Sequence, residues 1–158
     1  AGAGIIRFAD GLSYVVAGTP EGTIVVSART ALGAVGSQTL WCWDDGTTAS
    51  GLRLVRDSGR HLRFVVTVSG TDVVNLDLGT VADDTGLKVA ASWKSGLFAA
   101  SLDGAAAVVD NTYAGSLPTV TTMREGSSSN GSEWFGTIKR MRRYSMAYSA
   151  AQLPGMSS

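Results

Sequence analysis

Short β-branched runs that alternate apolar and polar residues, each closed by a glycine turn, recur along nearly the whole sequence. Successive side chains of a strand face opposite sides, so a period of two predicts half-buried strands. Turn pairs such as Asp45-Gly46, Ser69-Gly70 and Asp103-Gly104 separate the runs at intervals of about 8 to 12 residues, which is typical of sandwiches and barrels. No stretch of about 10 residues or more carries an apolar stripe at helical spacing. The sequence therefore predicts an all-β, antiparallel β-sandwich.

The strand pattern extends from one end of the chain to the other. At 158 residues the chain has the length of one domain, and we predict a single domain over 1–158. The predicted strands are 5–8, 12–16, 23–29, 38–43, 51–56, 61–68, 72–78, 87–93, 97–102, 105–110, 120–124 and 135–144.

A capping box predicts one helical turn near the C-terminus. In the run SAAQ, the hydroxyl of Ser149 is expected to accept an amide of the first turn while the Gln152 side chain reaches back. Tyr148 and Leu153 flank the run and can form a hydrophobic staple. Because Pro154 disfavours helical geometry at the residue before it, we expect about one turn, beginning at Ser149 or just after it.

Composition excludes several classes of protein. The 13 basic and 13 acidic residues balance, whereas a general nucleic-acid binder carries a basic excess, so no nucleic-acid partner is expected. The apolar runs fall far short of the roughly 20 residues that a membrane helix needs, and the first residues carry no export signal. Cys42 is the single cysteine, which excludes an intrachain disulfide.

The acidic residues do not form a catalytic pattern. Retaining glycoside hydrolysis needs two carboxylates about 5 Å apart, yet Glu21, Glu125 and Glu133 are widely separated. His61 is the single histidine, so no multi-histidine metal site is possible, and Cys42 is expected to be a small buried residue. We therefore expect no enzyme activity, no metal site and no cofactor.

Aromatic residues beside polar turns indicate a carbohydrate site. Trp41 and Trp43 are two residues apart, so they share one strand face, and Asp44 and Asp45 follow directly. Sugar rings stack on tryptophan, and carboxylates accept hydrogen bonds from sugar hydroxyls. The alternative is that both tryptophans fill the sandwich core.

Trp134 lies in a polar loop, with Asn130 and Glu133 near it. This setting predicts an exposed ring, because an amphipathic ring is favoured where one face is apolar and its edge meets water. Asn130, Glu133 and Trp134 therefore join Trp41, Trp43, Asp44 and Asp45 as the candidate carbohydrate-binding residues.

Lys139, Arg140, Arg142 and Arg143 form the densest basic patch. In an extended strand the first and last of them face opposite to the middle two. Such a patch is typical of an edge strand or outer sheet face whose charges keep the protein soluble. An anionic glycan or a neighbouring protein chain would be an alternative partner.

Two segments resemble a known family. The run LKVAASWKSGLFAASLDG at 87–104 is similar to a hairpin of laminin G-like and pentraxin-like domains, with an aromatic residue before the first turn and Asp-Gly after the second strand. The run FGTIKRMRRYSMAYSAAQL at 135–153 resembles their closing strand, Gly-x-Ile-x-x-apolar-Arg-x-Tyr, followed by a short helix. With the segment PTVTTMR at 118–124, it looks closest to C-terminal domains of bacteriophage and prophage tail proteins.

The resemblance covers roughly 87–153 and implies a concanavalin A-like (lectin/glucanase-type) jelly roll. It departs from the pattern at Arg143, Ser145 and Tyr148, where apolar residues, proline and leucine are usual. The implied protein is a non-catalytic, lectin-like tail component of a virion that binds surface carbohydrate and contacts other virion chains. A purely structural virion module is the alternative, and a glycoside hydrolase a more distant one. Laminin G-like domains often carry calcium, but no ligand set matches here.

Overall fold

The computed structural model describes residues 12–15, as backbone, and 20–158. Within these residues it contains eleven strands and one short helix. The predicted strand at 5–8 lies outside the described residues. The elements are β1 Leu12–Val15, β2 Glu21–Thr30, β3 Gln38–Asp44, β4 Gly51–Arg56, β5 His61–Val68, β6 Thr71–Thr80, β7 Gly86–Lys94, β8 Leu97–Leu102, β9 Val108–Asp110, β10 Thr122–Glu125, β11 Gly136–Tyr144 and α1 Leu153–Ser157.

The strands form two antiparallel sheets packed face to face. The six-stranded sheet has the order β1-β10-β3-β4-β5-β6, and the five-stranded sheet has the order β11-β2-β7-β8-β9. The prediction of an all-β sandwich is confirmed. β11 is an edge strand that pairs with β2 from Gly136 opposite Thr30 to Tyr144 opposite Thr23. A register shift in this pairing, between Ile138 and Arg140, leaves Lys139 in a bulge.

Two glycine positions explain why the predicted turns and edges form where they do. Ser69 and Gly70 join β5 to β6 with φ values of 50° and 81°. Positive φ at both central residues is the geometry of the tight hairpin turn that matches strand twist. At the start of β11, a Cβ added to Gly136 would overlap the carbonyl oxygen of Arg29 on β2. The glycine that opens the closing-strand motif is therefore required by close backbone approach.

The core between the sheets is built around three tryptophans. Trp41 and Trp43 from β3 meet Trp93 from β7, with ring centroids 5.7 Å apart in the stacked pair Trp41–Trp93 and 6.1 Å apart in the edge-on pair Trp43–Trp93. Other apolar side chains from both sheets, including Phe64 and Val89, complete the cluster. Burial of such large rings is the main source of sandwich stability.

The C-terminal helix lies later in the sequence than predicted. Gln152 does reach back, since its side-chain oxygen accepts the backbone N–H of Ser149 at 3.0 Å, and the N–H of Gln152 donates to the Ser149 carbonyl at 2.9 Å. The prediction that the Ser149 hydroxyl accepts an amide of the first turn is wrong, because it donates to the same Gln152 oxygen at 2.8 Å. These bonds close a turn, and α1 then begins at Leu153. The expectation that Pro154 keeps Leu153 out of a helix is wrong, because proline lacks the N–H that a first helical turn leaves unpaired. Among the described residues, no helix is long and apolar enough to cross a membrane.

Candidate functional site

The three predicted tryptophans present no ring to solvent. Trp41 and Trp43 are 0 % exposed and Trp134 is 1 % exposed. The alternative that Trp41 and Trp43 fill the core is confirmed, and the expectation of an exposed Trp134 is wrong. The backbone N–H of Trp134 donates to the carbonyl of Gly126 at 2.8 Å, and the ring packs into the core cluster between the sheets. A sugar ring cannot stack on any of these three side chains in this structure.

The predicted acidic residues near Trp43 anchor a loop. Asp44 is buried and accepts hydrogen bonds from the N–H of Gly46 at 2.9 Å, the thiol of Cys42 at 3.2 Å and the guanidinium of Arg124 at 3.3 Å. Asp45 is exposed, and the Thr47 hydroxyl that donates to it lowers the pKa of its carboxyl. Both carboxylates thus shape the β3–β4 loop.

The structure does bring the two predicted loops together, but without space for a sugar. Residues 44–51 and 128–129 meet above Cys42 and Arg53 around a cavity of about 10 Å³, which suits a single water molecule. Asn130 and Glu133 are exposed beside it, and they stay predictions as sugar ligands together with Asp45. Burial is the largest of the effects that raise the pKa of the Cys42 thiol, so this cysteine stays protonated.

Charge on the surface is distributed unevenly. Seven of the described Lys and Arg side chains form ion pairs with Asp or Glu: Arg29, Arg53, Arg56, Arg60, Arg63, Lys94 and Arg124. The cations of the described chain that have no Asp or Glu partner are Lys88, Lys139, Arg140, Arg142 and Arg143. Although the chain is neutral overall, the positive charge of the described residues that has no Asp or Glu partner is concentrated on β11 and the nearby part of β7.

Four of these five cations surround a groove on the outer face of the five-stranded sheet. Arg140 and Arg142 lie opposite Ser27 and Val25 on β2, and α1 forms the wall across from them. This part, which we call the arginine recess, has a volume of about 230 Å³. It is lined by Val25, Ser27, Lys88, Arg140, Arg142, Tyr144, Gly155 and Met156.

A second recess continues the groove. It shares Ser27 and Lys88 with the first, has a volume of about 270 Å³, and we call it the lysine recess. Its lining is Ser27, Ala28, Gly86, Leu87, Lys88, Asp103, Lys139, Ser157 and Ser158. The two recesses together are the cationic groove.

Packing of α1 on the sheet creates the groove. Leu153 is fully buried in a small cluster with Val25, Ala90 and Ala99, against which Tyr148 also packs. The Ser157 hydroxyl lies 2.8 Å from that of Ser101 on β8. Small residues on β7 and β8 let the helix approach closely there, whereas the longer side chains of β11 stay uncovered. The uncovered strip is the cationic groove.

Arg143 is the member of the basic run that does not line the groove. Its guanidinium carbon lies 4.9 Å from the centroid of the Trp43 ring. The predicted opposition of Arg143 to Arg140 and Arg142 is therefore confirmed. Lys139 departs from it, because the bulge places Lys139 in the lysine recess, on the same side as Arg140.

The side chains that line the groove are suited to binding a ligand, and few of them are of the kinds that catalyse hydrolysis. The side chains around the arginine recess combine two guanidinium groups, a hydroxyl, a tyrosine and apolar groups. Asp103 is the one carboxylate among the described residues that line either recess, and it accepts the backbone N–H of Lys88 at 2.6 Å. A pair of carboxylates for glycoside hydrolysis is thus not found among these lining residues. No group of three or more His, Cys, Asp or Glu side chains in the described chain is placed to hold a metal ion.

The sequence pattern indicated the basic run, with an anionic glycan as one alternative partner, but it favoured the tryptophans as the binding site. It gave no indication of Lys88, a single cation in a mostly apolar strand. A usable signal was present in the alternation Arg140, Arg142, Tyr144, which puts three groove side chains on one strand face.

This chain resembles known proteins in its fold alone. No protein-family model matches the chain, and no curated protein matches it. Among solved structures, the CBM40 module of the Ruminococcus gnavus IT-sialidase is 16 % identical with a TM-score of 0.71, over 97 % of this chain and 96 % of that one. A second structure of that module is bound to α2,6 sialyllactose; it is 15 % identical with a TM-score of 0.70, over 97 % of this chain and 99 % of that one.

Two further similar structures come from other organisms. Domain 4 of an extracellular arabinanase from Geobacillus stearothermophilus, in complex with arabinotriose, is 11 % identical with a TM-score of 0.74, over 94 % of this chain and 72 % of that one. The heptameric SAP-like pentraxin from Limulus polyphemus is also 11 % identical, with a TM-score of 0.68, over 96 % of this chain and 77 % of that one. The fold is therefore the two-sheet β-sandwich that carbohydrate-binding modules and pentraxins share, consistent with a concanavalin A-like domain.

Proposed function

We propose that this chain is a non-catalytic carbohydrate-binding domain that takes an acidic sugar in the cationic groove. The observation that carries the proposal is the grouping of Lys88, Lys139, Arg140 and Arg142 around one groove without an Asp or Glu partner in the described chain. Seven of the other described Lys and Arg side chains pair with Asp or Glu. A groove lined by cations that lack an Asp or Glu partner is favourable for an anionic ligand.

The arginine recess suits a sugar acid better than a simple anion. Guanidinium groups form bidentate hydrogen bonds with carboxylates, so Arg140 and Arg142 would bind the acid group. Tyr144 and Met156 offer apolar surface to the sugar ring, and the Ser27 hydroxyl can hydrogen-bond a sugar hydroxyl. The sialyllactose complex of the similar CBM40 module supports this ligand class, because sialic acid carries a carboxylate.

A titration of sialyllactose by calorimetry tests the proposal. Hydrogen bonds to a charged group contribute about 1.5 to 3 kcal/mol, so Arg140→Ala and Arg142→Ala should each weaken binding about tenfold or more. Lys94→Ala is the matched control. Lys94 lies on the same sheet face as Lys88, about 20 Å away along β7. Its substitution therefore removes one positive charge outside the groove. Lactose, which lacks the carboxylate, should bind far more weakly. If lactose and sialyllactose bind alike, the acidic-sugar assignment is wrong.

The resemblance to phage tail domains supports placing this domain on a virion, where glycan binding would serve host attachment. A second candidate function is a structural module that contacts other protein chains. It is favoured by the β2–β3 loop, where Leu32 and Val35 are 82 % and 81 % exposed. Binding of a partner chain with no glycan bound would favour this second function.

A further inference from the structure

We propose that the cationic groove selects oligosaccharides with at least two anionic groups, one held by Arg140 and Arg142 and the other by Lys139. This inference rests on the proposed function, because it names the ligand class of the same groove. A sugar with one carboxylate would satisfy the arginine recess and leave the lysine recess unused.

The bulge in β11 divides the cations between two positions. In a regular strand Lys139 would face away from Arg140. The register shift between Ile138 and Arg140 turns Lys139 to the outer side, where it lines the lysine recess. Bulges re-aim side chains in this way. The groove therefore presents one cationic position in the arginine recess on Arg140 and Arg142, whose Cα atoms are about 7 Å apart along the strand, and a second one in the lysine recess on Lys139.

The internal partners of the groove leave both positions free. Lys88 is engaged, because its ammonium group donates to the Ser158 carbonyl at 2.6 Å. Asp103 accepts the backbone N–H of Lys88. The side chains of Lys139, Arg140 and Arg142 have no hydrogen-bond or ion-pair partner in the described part of the chain. Two separate positions without internal partners call for two anionic groups on the ligand.

The small number of aromatic side chains that line the cationic groove favours a polysaccharide ligand over a single-stranded nucleic acid. Grooves for single strands stack successive bases on several aromatic side chains. Tyr144 is the one aromatic residue among the described lining, and its ring is held edge-on against Tyr148 with centroids 5.3 Å apart. One half-buried ring beside a row of cations suits a chain of sugar rings with charged substituents.

Calorimetric titrations with ligands of different charge test this inference. Sialyllactose carries one carboxylate, trigalacturonate carries three, and a heparin-derived tetrasaccharide carries several sulfates. We expect the multiply charged ligands to bind about tenfold tighter than sialyllactose and with a steeper salt dependence. Comparison of trigalacturonate with the heparin fragment shows whether carboxylated or sulfated sugars are preferred.

Variants separate this inference from the proposed function. Lys139→Ala should lower the affinity for the multiply charged ligands to that for sialyllactose, while sialyllactose itself binds as to the parent. Arg142→Ala should weaken both, and Lys94→Ala neither. Equal affinity for one and several charges, or an equal loss of all ligands in Lys139→Ala, overturns the inference and leaves the proposed function intact. Absence of any acidic glycan binding overturns both, and tighter binding of single-stranded DNA overturns the choice of a polysaccharide.

Discussion

The guanidinium of Arg143 covers the ring of Trp43, with its central carbon 4.9 Å from the ring centroid. Arg142, the residue before it, faces the opposite side of β11 and lines the arginine recess. Two neighbouring arginines therefore have different roles. One closes the aromatic core at the sheet edge, and the other belongs to the cationic groove.

Arg143→Ala should lower the free energy of unfolding by about 1 kcal/mol, because the cation–π contact is lost and Trp43 becomes accessible. Glycan affinity should stay unchanged. Arg142→Ala is the matched control, with the reverse pattern of weakened binding and unchanged stability. Urea denaturation and glycan titration of both variants check this prediction. Equal effects of the two substitutions on stability would contradict the assignment of separate roles.

Asp83 holds the buried guanidinium of Arg56, which is 1 % exposed and also donates to the carbonyl of Val81. Asp83→Asn keeps the shape but leaves the charge of Arg56 uncompensated, so we expect a loss of about 3 kcal/mol of stability. Asp84→Asn changes the next residue in the same way. Its ion pair with Arg29 is exposed, so little stability should be lost. Thermal melts of the two variants make the comparison, and a smaller loss for Asp83→Asn would contradict it.

Glu125 on β10 is half-buried, and this burial raises the pKa of its carboxyl above the ordinary value near 4.5. Folding therefore favours the protonated form. The resulting stability is fully present below the ordinary pKa and is lost as pH rises through the raised value. Glu125→Gln, which cannot ionise, should melt at a higher temperature than the parent at neutral pH, with the difference disappearing near pH 4. A variant that melts lower than the parent at neutral pH would contradict this account.

Local pattern was sufficient for most of the fold. Runs of β-branched residues between glycine turns predicted the described strands closely, because alternation and turn geometry are properties of short segments. β9 is the exception, since it begins at Val108 and not at residue 105. The turn at Asp103-Gly104 is closed by a hydrogen bond from the Ala105 N–H to the Leu102 carbonyl. The chain therefore pairs with β8 only from Val108 onward.

The site depended on information that local pattern does not carry. Polar neighbours predicted an exposed Trp134, but its ring packs against residues of both sheets in the core cluster. β3 is buried on both faces, so alternation could not tell its core side from its outer side. Lys88 lines the same recess as Arg140 and Arg142 because β7 and β11 are both neighbours of β2 in the sheet. That strand order is a tertiary property, and the grouping of cations follows from it.

Chemical-shift mapping of the isotope-labelled protein with sialyllactose tests the central claim most directly. The account predicts perturbed backbone amides at Val25, Ser27 and Lys88 and along 140–144, which surround the arginine recess. It predicts no shifts in the loops at 45–50 and 127–133. Perturbation confined to those loops, with the β2, β7 and β11 amides unchanged, would contradict the cationic groove as the glycan site.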